Sequence, residues 1–262
     1  MMPVDTTTLL YPMSGFIVGI LVGTTGVGGG SLMTPLLILL FGIHPGTAVG
    51  TDLLFAAATK FAGTAFHGLK GTVDWRITGR LALGSIPATF VTIDVLHAFA
   101  GSSSSYNRLL APILGVTLLL TAVSLLLRRP ILAFADRHWE PPRPAAVATL
   151  TVVAGVVLGV LVSLTSVGAG AIGMAALVFL YPRAPAVQLV GSDIAHAVPL
   201  TLAAGIGHWY LGSVDWSLLG LLLMGSVPGI LLGSTIATRV PGGALRTILA
   251  LTLVVAARQL LV

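Results

Sequence analysis

Four glycines in five positions, Gly26-Val27-Gly28-Gly29-Gly30, interrupt an apolar run that extends from Leu9 to Phe41. That run is too long for one ordinary membrane crossing of about 20 residues. Glycine at this density holds a helix badly, since each residue costs roughly 1 kcal/mol against alanine. A break inside lipid also strands backbone amides and carbonyls unless something else bonds them, so it is expected only against protein or a water-filled cavity. The same interruption returns as Thr165-Ser166-Val167-Gly168-Ala169-Gly170, within a second long apolar run. Broken helices at matching positions of two halves point to a transporter's binding site.

The rest of the chain agrees with a membrane setting. Of its 262 residues 56% are hydrophobic and only 8% charged, against about 25% charged in soluble domains. The reading is an all-α polytopic membrane protein. Its formal charge of +5 is carried by residues scattered singly among apolar segments, which is no nucleic-acid footprint. Cysteine is absent, so disulfides and thiolate chemistry are excluded. No metal or cofactor motif is present. The stretch from Met1 to Leu10 lacks the basic residues of a signal peptide, and its apolar part reads as the start of the first membrane segment.

Runs of apolar residues give expected segments at 9–25 and 29–42, a broken pair, then 46–67, 76–99 and 107–127. A polar stretch at 128–145 separates these from a second broken pair at 146–165 and 170–182, followed by 185–208, 216–238 and 243–261. The halves match letter by letter. At an offset of 140, Gly19, Thr25, Gly28 and Pro45 fall on Gly159, Thr165, Gly168 and Pro185. At 141, Gly50-Thr51-Asp52 falls on Gly191-Ser192-Asp193 and Gly71-Thr72-Val73-Asp74-Trp75 on Gly212-Ser213-Val214-Asp215-Trp216. The chain is a tandem duplication, read as a first repeat at 1–127, a cytoplasmic linker at 128–145 and a second repeat at 146–262.

Orientation follows from the positive-inside rule. Arg128, Arg129, Arg137 and Arg143 put the linker inside. If each half holds an odd number of crossings, or a re-entrant hairpin plus three, Lys70, Arg76, Arg80, Arg183, Arg239 and Arg246 fall inside as well, leaving Arg108 and Arg258 outside. Two inverted repeats, each a glycine-broken helix pair plus three transmembrane helices, with both termini outside, satisfy the count best. The 14-residue arms after the breaks span only about 21 Å, which suits re-entrant hairpins.

Freed amides at each break, with the positive end of the helix that follows, form a site for an anion. Thr24, Thr25, Gly26, Gly28 and Gly29 supply it in the first half, and Thr165, Ser166 and Gly168 in the second. Close packing through small residues is the competing account. A P-loop is excluded because no lysine follows the glycines, and a dinucleotide fingerprint because Ser31 stands where its third glycine belongs. Thr51 and Ser192 are expected to face the substrate. Asp52 and Asp193 either cap their helices or brace the neighbouring glycine loop, and a carboxylate able to take up a proton would couple transport to a proton gradient. Lys60 and His196 lie deeper on the same two segments, where ionisable groups usually face a pathway or a partner. Lys60 could neutralise an anion or pair with Asp52, and His196 is the better proton acceptor; His67 and His208 are expected near the interface. Asp74 and Asp215 read as N-caps and Trp75 and Trp216 as interfacial anchors. Pro87 and Pro228 read as kinks inside spans.

Taken together, Gly26-Val27-Gly28-Gly29-Gly30 followed by Pro35, then Phe41-Gly42-Ile43-His44-Pro45, Gly50-Thr51-Asp52 and Gly71-Thr72-Val73-Asp74-Trp75, the sequence resembles the sulfite exporter TauE/SafE family (TSUP permeases) along nearly its whole length. The resemblance implies a bacterial inner-membrane secondary transporter for sulfur-containing anions such as sulfite, sulfoacetate, thiosulfate or another sulfonate, with proton-driven export. The second half departs from the pattern, with Ala169 in place of a glycine. The alternatives are a carrier or channel for another small anion, such as a carboxylate, or for a cation held by Asp52 and Asp193. No His-Glu-x-x-His element, catalytic cysteine or serine elbow favours an intramembrane enzyme. Partners are therefore expected to be the anion, the proton and lipid, with no nucleic acid; oligomeric state is left open.

Overall fold

A computed structural model describes residues 6–25, 30–69, 71–99, 103–127, 130, 143–236 and 242–261. Among them are ten helices: α1 Thr6–Thr25, α2 Gly30–Phe41, α3 Pro45–Leu69, α4 Trp75–Phe99, α5 Ser103–Leu126, α6 Pro144–Thr165, α7 Ile172–Leu180, α8 Ala186–Tyr210, α9 Trp216–Ile236 and α10 Gly242–Leu261. Each expected segment is a helix, within a few residues at each end. Gly26, Gly28, Gly29, most of the 128–145 linker, and Lys70, Arg128, Arg129, Arg137 and Arg239 lie outside the described residues.

The surface is apolar and the interior carries the hydroxyls. On α4, Leu83, Phe90 and Val91 are exposed while Ser85, Thr89 and Thr92 are buried. In water this arrangement would waste burial energy and expose a large apolar patch. In lipid it suits helices that associate through packing and hydroxyl hydrogen bonds. Trp75–Ala98, Ala146–Thr165, Ala186–Tyr210 and Trp216–Gly233 are long and apolar enough to cross a membrane. The protein is thus an all-α, multi-pass membrane protein.

The halves interleave. α1 packs on α9 and, equivalently, α4 on α6; α3 packs on α8 and α5 on α10. Glycines set the first two contacts. A Cβ at Gly15 or Gly225 would strike the carbonyl of Leu222 or Pro12, and one at Gly84 or Gly155 the carbonyl of Val152 or Leu81. The spacing Gly155-x-x-x-Gly159 and Gly225-x-x-x-Gly229 is what lets membrane helices approach backbone to backbone.

Contact partners fix helix directions. Gly15 meets Leu222 and Gly19 meets Ser226, so α1 and α9 run parallel. Gly50 abuts Ser213 and His208, Gly205 abuts Leu54, and the Thr64 hydroxyl reaches the Ile194 carbonyl. The start of α3 therefore lies beside the end of α8, and these equivalent helices run antiparallel. α2 folds back on α3, bringing Thr34 to Asp52, and α7 folds back on α6 and α8, bringing Gly173 to Leu158 and Asp193. The second broken pair is thus a helical hairpin whose second arm is short.

Val-Asp-Trp opens α4 and α9 as the spacing predicts. Asp74 Oδ1 accepts from the amides of Arg76 at 2.9 Å and Ile77 at 3.3 Å, and Asp215 Oδ1 from that of Leu218 at 2.9 Å. Trp75 and Trp216 are exposed. The glycines just before these caps, Gly71 and Gly212, have φ of +64° and +70°, values that favour a residue without Cβ.

Candidate functional site at the crossing of α3 and α8

The second break is described in full. α6 ends at Thr165, and Ser166 caps it in the left-handed region, φ 58° and ψ 2°, its amide reaching the Val162 carbonyl. Gly168 follows with φ +108°. Its carbonyl starts the next helix by accepting from the amides of Ile172 at 3.0 Å and Gly173 at 3.1 Å. Among the described residues, the amides of Gly168, Ala169, Gly170 and Ala171 make no backbone hydrogen bond. They are the orphan donors of a helix N-terminus, and the segment that carries them is largely buried: Val167 at 0%, Ala169 at 2% and Ala171 at 6% exposure.

Asp52 and Asp193 are each eighth in their helices, α3 and α8, too far in to cap them. Their carboxylates turn instead to the short arms. Asp52 Oδ2 accepts from the Thr34 amide at 3.1 Å and the Thr34 hydroxyl at 2.5 Å. Asp193 Oδ1 lies 2.5 Å from where a Cβ on Gly173 would sit, so any larger residue there would push the carboxylate aside. Of the two roles open to these aspartates, the geometry of Asp52 is that of a brace on the neighbouring broken pair. Thr34 escaped the sequence reading, although it is one of only two hydroxyl residues in the strongly apolar α2.

Around these carboxylates the other ionisable residues converge. Lys60 is 6% exposed, and the charges that act on it are those of Asp193 and Asp52. His196, with no exposed surface, sits within the field of Lys60 and shares a 2.8 Å hydrogen bond between Nε2 and the Ser85 hydroxyl of α4. The Ser166 hydroxyl, from the second break, stands beside the Asp52 carboxyl of the first half. Among the described residues, Asp52 Oδ1, Ser166 Oγ and His196 Nδ1 are buried without a hydrogen bond of ordinary geometry. Buried polar atoms are nearly always satisfied, which sets these three apart.

Repeat symmetry is broken here. At the 141 offset Lys60 faces Thr201 and His196 faces Phe55. Thr201 bonds the Ala197 carbonyl at 2.8 Å, and Phe55 is buried in an apolar cluster. The antiparallel crossing of α3 and α8 brings the two non-repeated residues together.

The hydroxyls expected at the substrate have partners within the protein. The Thr51 hydroxyl accepts from the Asp215 amide at 3.0 Å and that of Ser192 from the Asp74 amide at 2.8 Å, while Ser192 donates to the Gln188 carbonyl at 2.8 Å. Each locks one half to the Val-Asp-Trp turn of the other. That turn presses on the glycine before the hydroxyl residue, the Ser213 carbonyl on Gly50 and the Thr72 carbonyl on Gly191. The Thr24 hydroxyl bonds its own helix at Ile20, 2.9 Å, and Thr165 bonds Leu161 at 2.6 Å. Thr25 ends α1. His208, expected near the interface, is fully buried and bonded through Nε2 to the Ser163 carbonyl at 2.8 Å. It lies two residues before the end of α8, with α3 and the Ser213 turn against that end.

Comparison with known proteins accords with this architecture. The family described as Sulfite exporter TauE/SafE matches residues 11–260. The chain is 42% identical to the probable membrane transporter protein YjnA of Bacillus subtilis (strain 168), over 81% of this chain and 83% of that one. It is 29% identical to a probable membrane transporter protein of Xylella fastidiosa (strain 9a5c), over 78% and 75%. It is 28% identical to the probable membrane transporter protein MJ0441 of Methanocaldococcus jannaschii, over 76% and 72%. No solved structure matches it. By the extent of that match the chain belongs to the TauE/SafE sulfite exporter family, a family of membrane transporters.

Proposed function

We propose that the protein is a proton-coupled secondary transporter, working as an exporter, of a small sulfur-containing anion such as sulfite, sulfoacetate or another sulfonate. The anion sits between the two breaks and is exposed to each side of the membrane in turn. The observation that carries this reading is a buried lysine, Lys60, set in one cluster with Ser166 of the second break, whose following amides lack carbonyl partners among the described residues. A sulfonate or sulfite presents charge and acceptor oxygens to such donors. Lys60 neutralises the charge, and Asp52, Asp193 and His196 hold or release protons as access alternates. On this reading Thr51 and Ser192 hold the halves together and do not touch the substrate. The two repeats are inverted in a bacterial inner membrane, with the linker cytoplasmic and both termini periplasmic.

Proteoliposomes loaded and diluted across a panel of sulfite, thiosulfate, sulfoacetate, sulfate and acetate, at two proton gradients, test the assignment. Saturable flux of a sulfur oxyanion, altered by the gradient, is the expected result. A cation reading has one observation in its favour, the unbonded Asp52 Oδ1. Cation flux lost in Asp52→Asn, with no anion competing, would establish it in place of the anion. Unitary currents would establish a channel.

A further inference from the structure

We infer that the site takes up one proton with each monoanion it binds, so that anion and proton travel in the same direction. This rests on the anion-transport reading and adds its stoichiometry and sign.

The argument is a count of buried charge. Asp52, at 0% exposure, Asp193, at 4%, and Lys60, at 6%, share one cluster, and two ionised carboxylates and one ammonium leave it at −1. His196 adds no charge while neutral. The N-termini of two short helices point into the same region: α2, held through Thr34 by Asp52, and α7, whose Gly173 abuts Asp193. Each contributes roughly half a positive charge, which brings the empty site near neutrality. A monoanion returns it to about −1 inside lipid, where an uncompensated charge is costly. One proton restores the balance.

Two buried atoms could take that proton. Among the described residues Asp52 Oδ1 makes no hydrogen bond of ordinary geometry, with the Ser166 hydroxyl standing beside the carboxyl. Protonated there, it becomes a donor itself and can point at a ligand oxygen or at the Ser166 hydroxyl. His196 Nδ1, equally without a partner, is the second place, and Ser85 fixes the ring that carries it. The other described ionisable groups on the neighbouring helices are engaged elsewhere or exposed: on α8, His208 is buried against the Ser163 carbonyl, and on α4, Arg76 and His97 are exposed. α2, α6 and α7 contribute none within their helices. On α9, Asp215 caps Leu218; on α4, Arg80 bonds the Tyr181 hydroxyl and Asp94 is exposed.

Coupling of this sign has a consequence for direction. An inward proton gradient drives the anion in, the reverse of the proton-driven export that the family resemblance implies, and the proposed export runs only where the outward anion gradient is steeper than the proton gradient.

The test uses methanesulfonate and 2-hydroxyethanesulfonate, monoanions that do not titrate near neutrality, with the purified full chain in lipid nanodiscs. Calorimetry in two buffers of different ionisation enthalpy reads protons taken up per ligand. The expected value is near one, with affinity falling about tenfold for each pH unit of increase where the accepting carboxylate is ionised. Asp52→Asn and Asp193→Asn each stand in for a protonated acid. At least one of them should bind the sulfonate at alkaline pH with uptake reduced towards zero, and circular dichroism reports whether each variant folds. Sulfonate binding with no proton uptake, or with proton release, overturns the coupling and leaves the anion reading standing. Failure of these and the other sulfur oxyanions to bind at any pH overturns both.

Discussion

Replacing Gly84 by alanine should destabilise the protein, whereas the same change five residues earlier, at Gly79, should not. Both lie in α4, so helix propensity favours alanine at each by up to about 1 kcal/mol. Packing separates them. A Cβ at Gly79 meets nothing within 4 Å. At Gly84 it would lie 2.8 Å from the Val156 nitrogen and 3.0 Å from the Val152 carbonyl carbon, with the Val152 oxygen nearer still. Carbon contacts are most favourable at about 3.5–4.0 Å, so α4 and α6 must part by roughly 1 Å, and a gap of that size forfeits a quarter to a half of each contact's attraction. Overpacking of this kind costs about 1–3 kcal/mol. Propensity cancels between the two variants, which should thus differ by about 1–3 kcal/mol in unfolding free energy. The repeat supplies an internal replicate on α9, because Gly220 is open and a Cβ at Gly225 would strike Pro12. Denaturant titration in mixed micelles, followed by the fluorescence of the four tryptophans, reads the difference. Equal stability of the 79 and 84 variants would refute backbone-to-backbone packing of α4 on α6.

Other outcomes follow from the same geometry. Thr51→Val and Ser192→Ala each leave a turn amide without its acceptor and should cost about 1–3 kcal/mol, with sulfonate affinity in the folded fraction unchanged; a selective loss of affinity would return these hydroxyls to the substrate site. Lys60→Met should abolish sulfonate binding by calorimetry while the protein still folds, since it removes the one cation in the cluster, and near-native affinity would disprove its role. A chain without cysteine suits site-directed labelling: Trp75→Cys and Trp216→Cys should react with impermeant maleimide from opposite sides of the membrane, and labelling from one side would end the inverted arrangement. His208→Phe should cost about 1–3 kcal/mol by stranding the Ser163 carbonyl and leave proton uptake on binding unaltered, in contrast to substitutions at Asp52.

Local chemistry alone determined the segments. Glycine clusters, proline, Val-Asp-Trp caps and the length of apolar runs act over a few residues, and those residues stand next to each other in the chain, so α1 to α10 and the duplication were legible in the letters. The pairing of Asp52 with Thr34, of His196 with Ser85, and of Thr51 and Ser192 with turns of the opposite half was not. These contacts join residues 18 to 164 positions apart, and a hydroxyl in an apolar helix reads the same whether it meets a substrate, a turn amide or its own helix. Tertiary structure decided among those partners, because only the antiparallel crossing of α3 and α8 carries Lys60 of one half to His196 of the other. That crossing turns two unrepeated residues into one buried charge cluster.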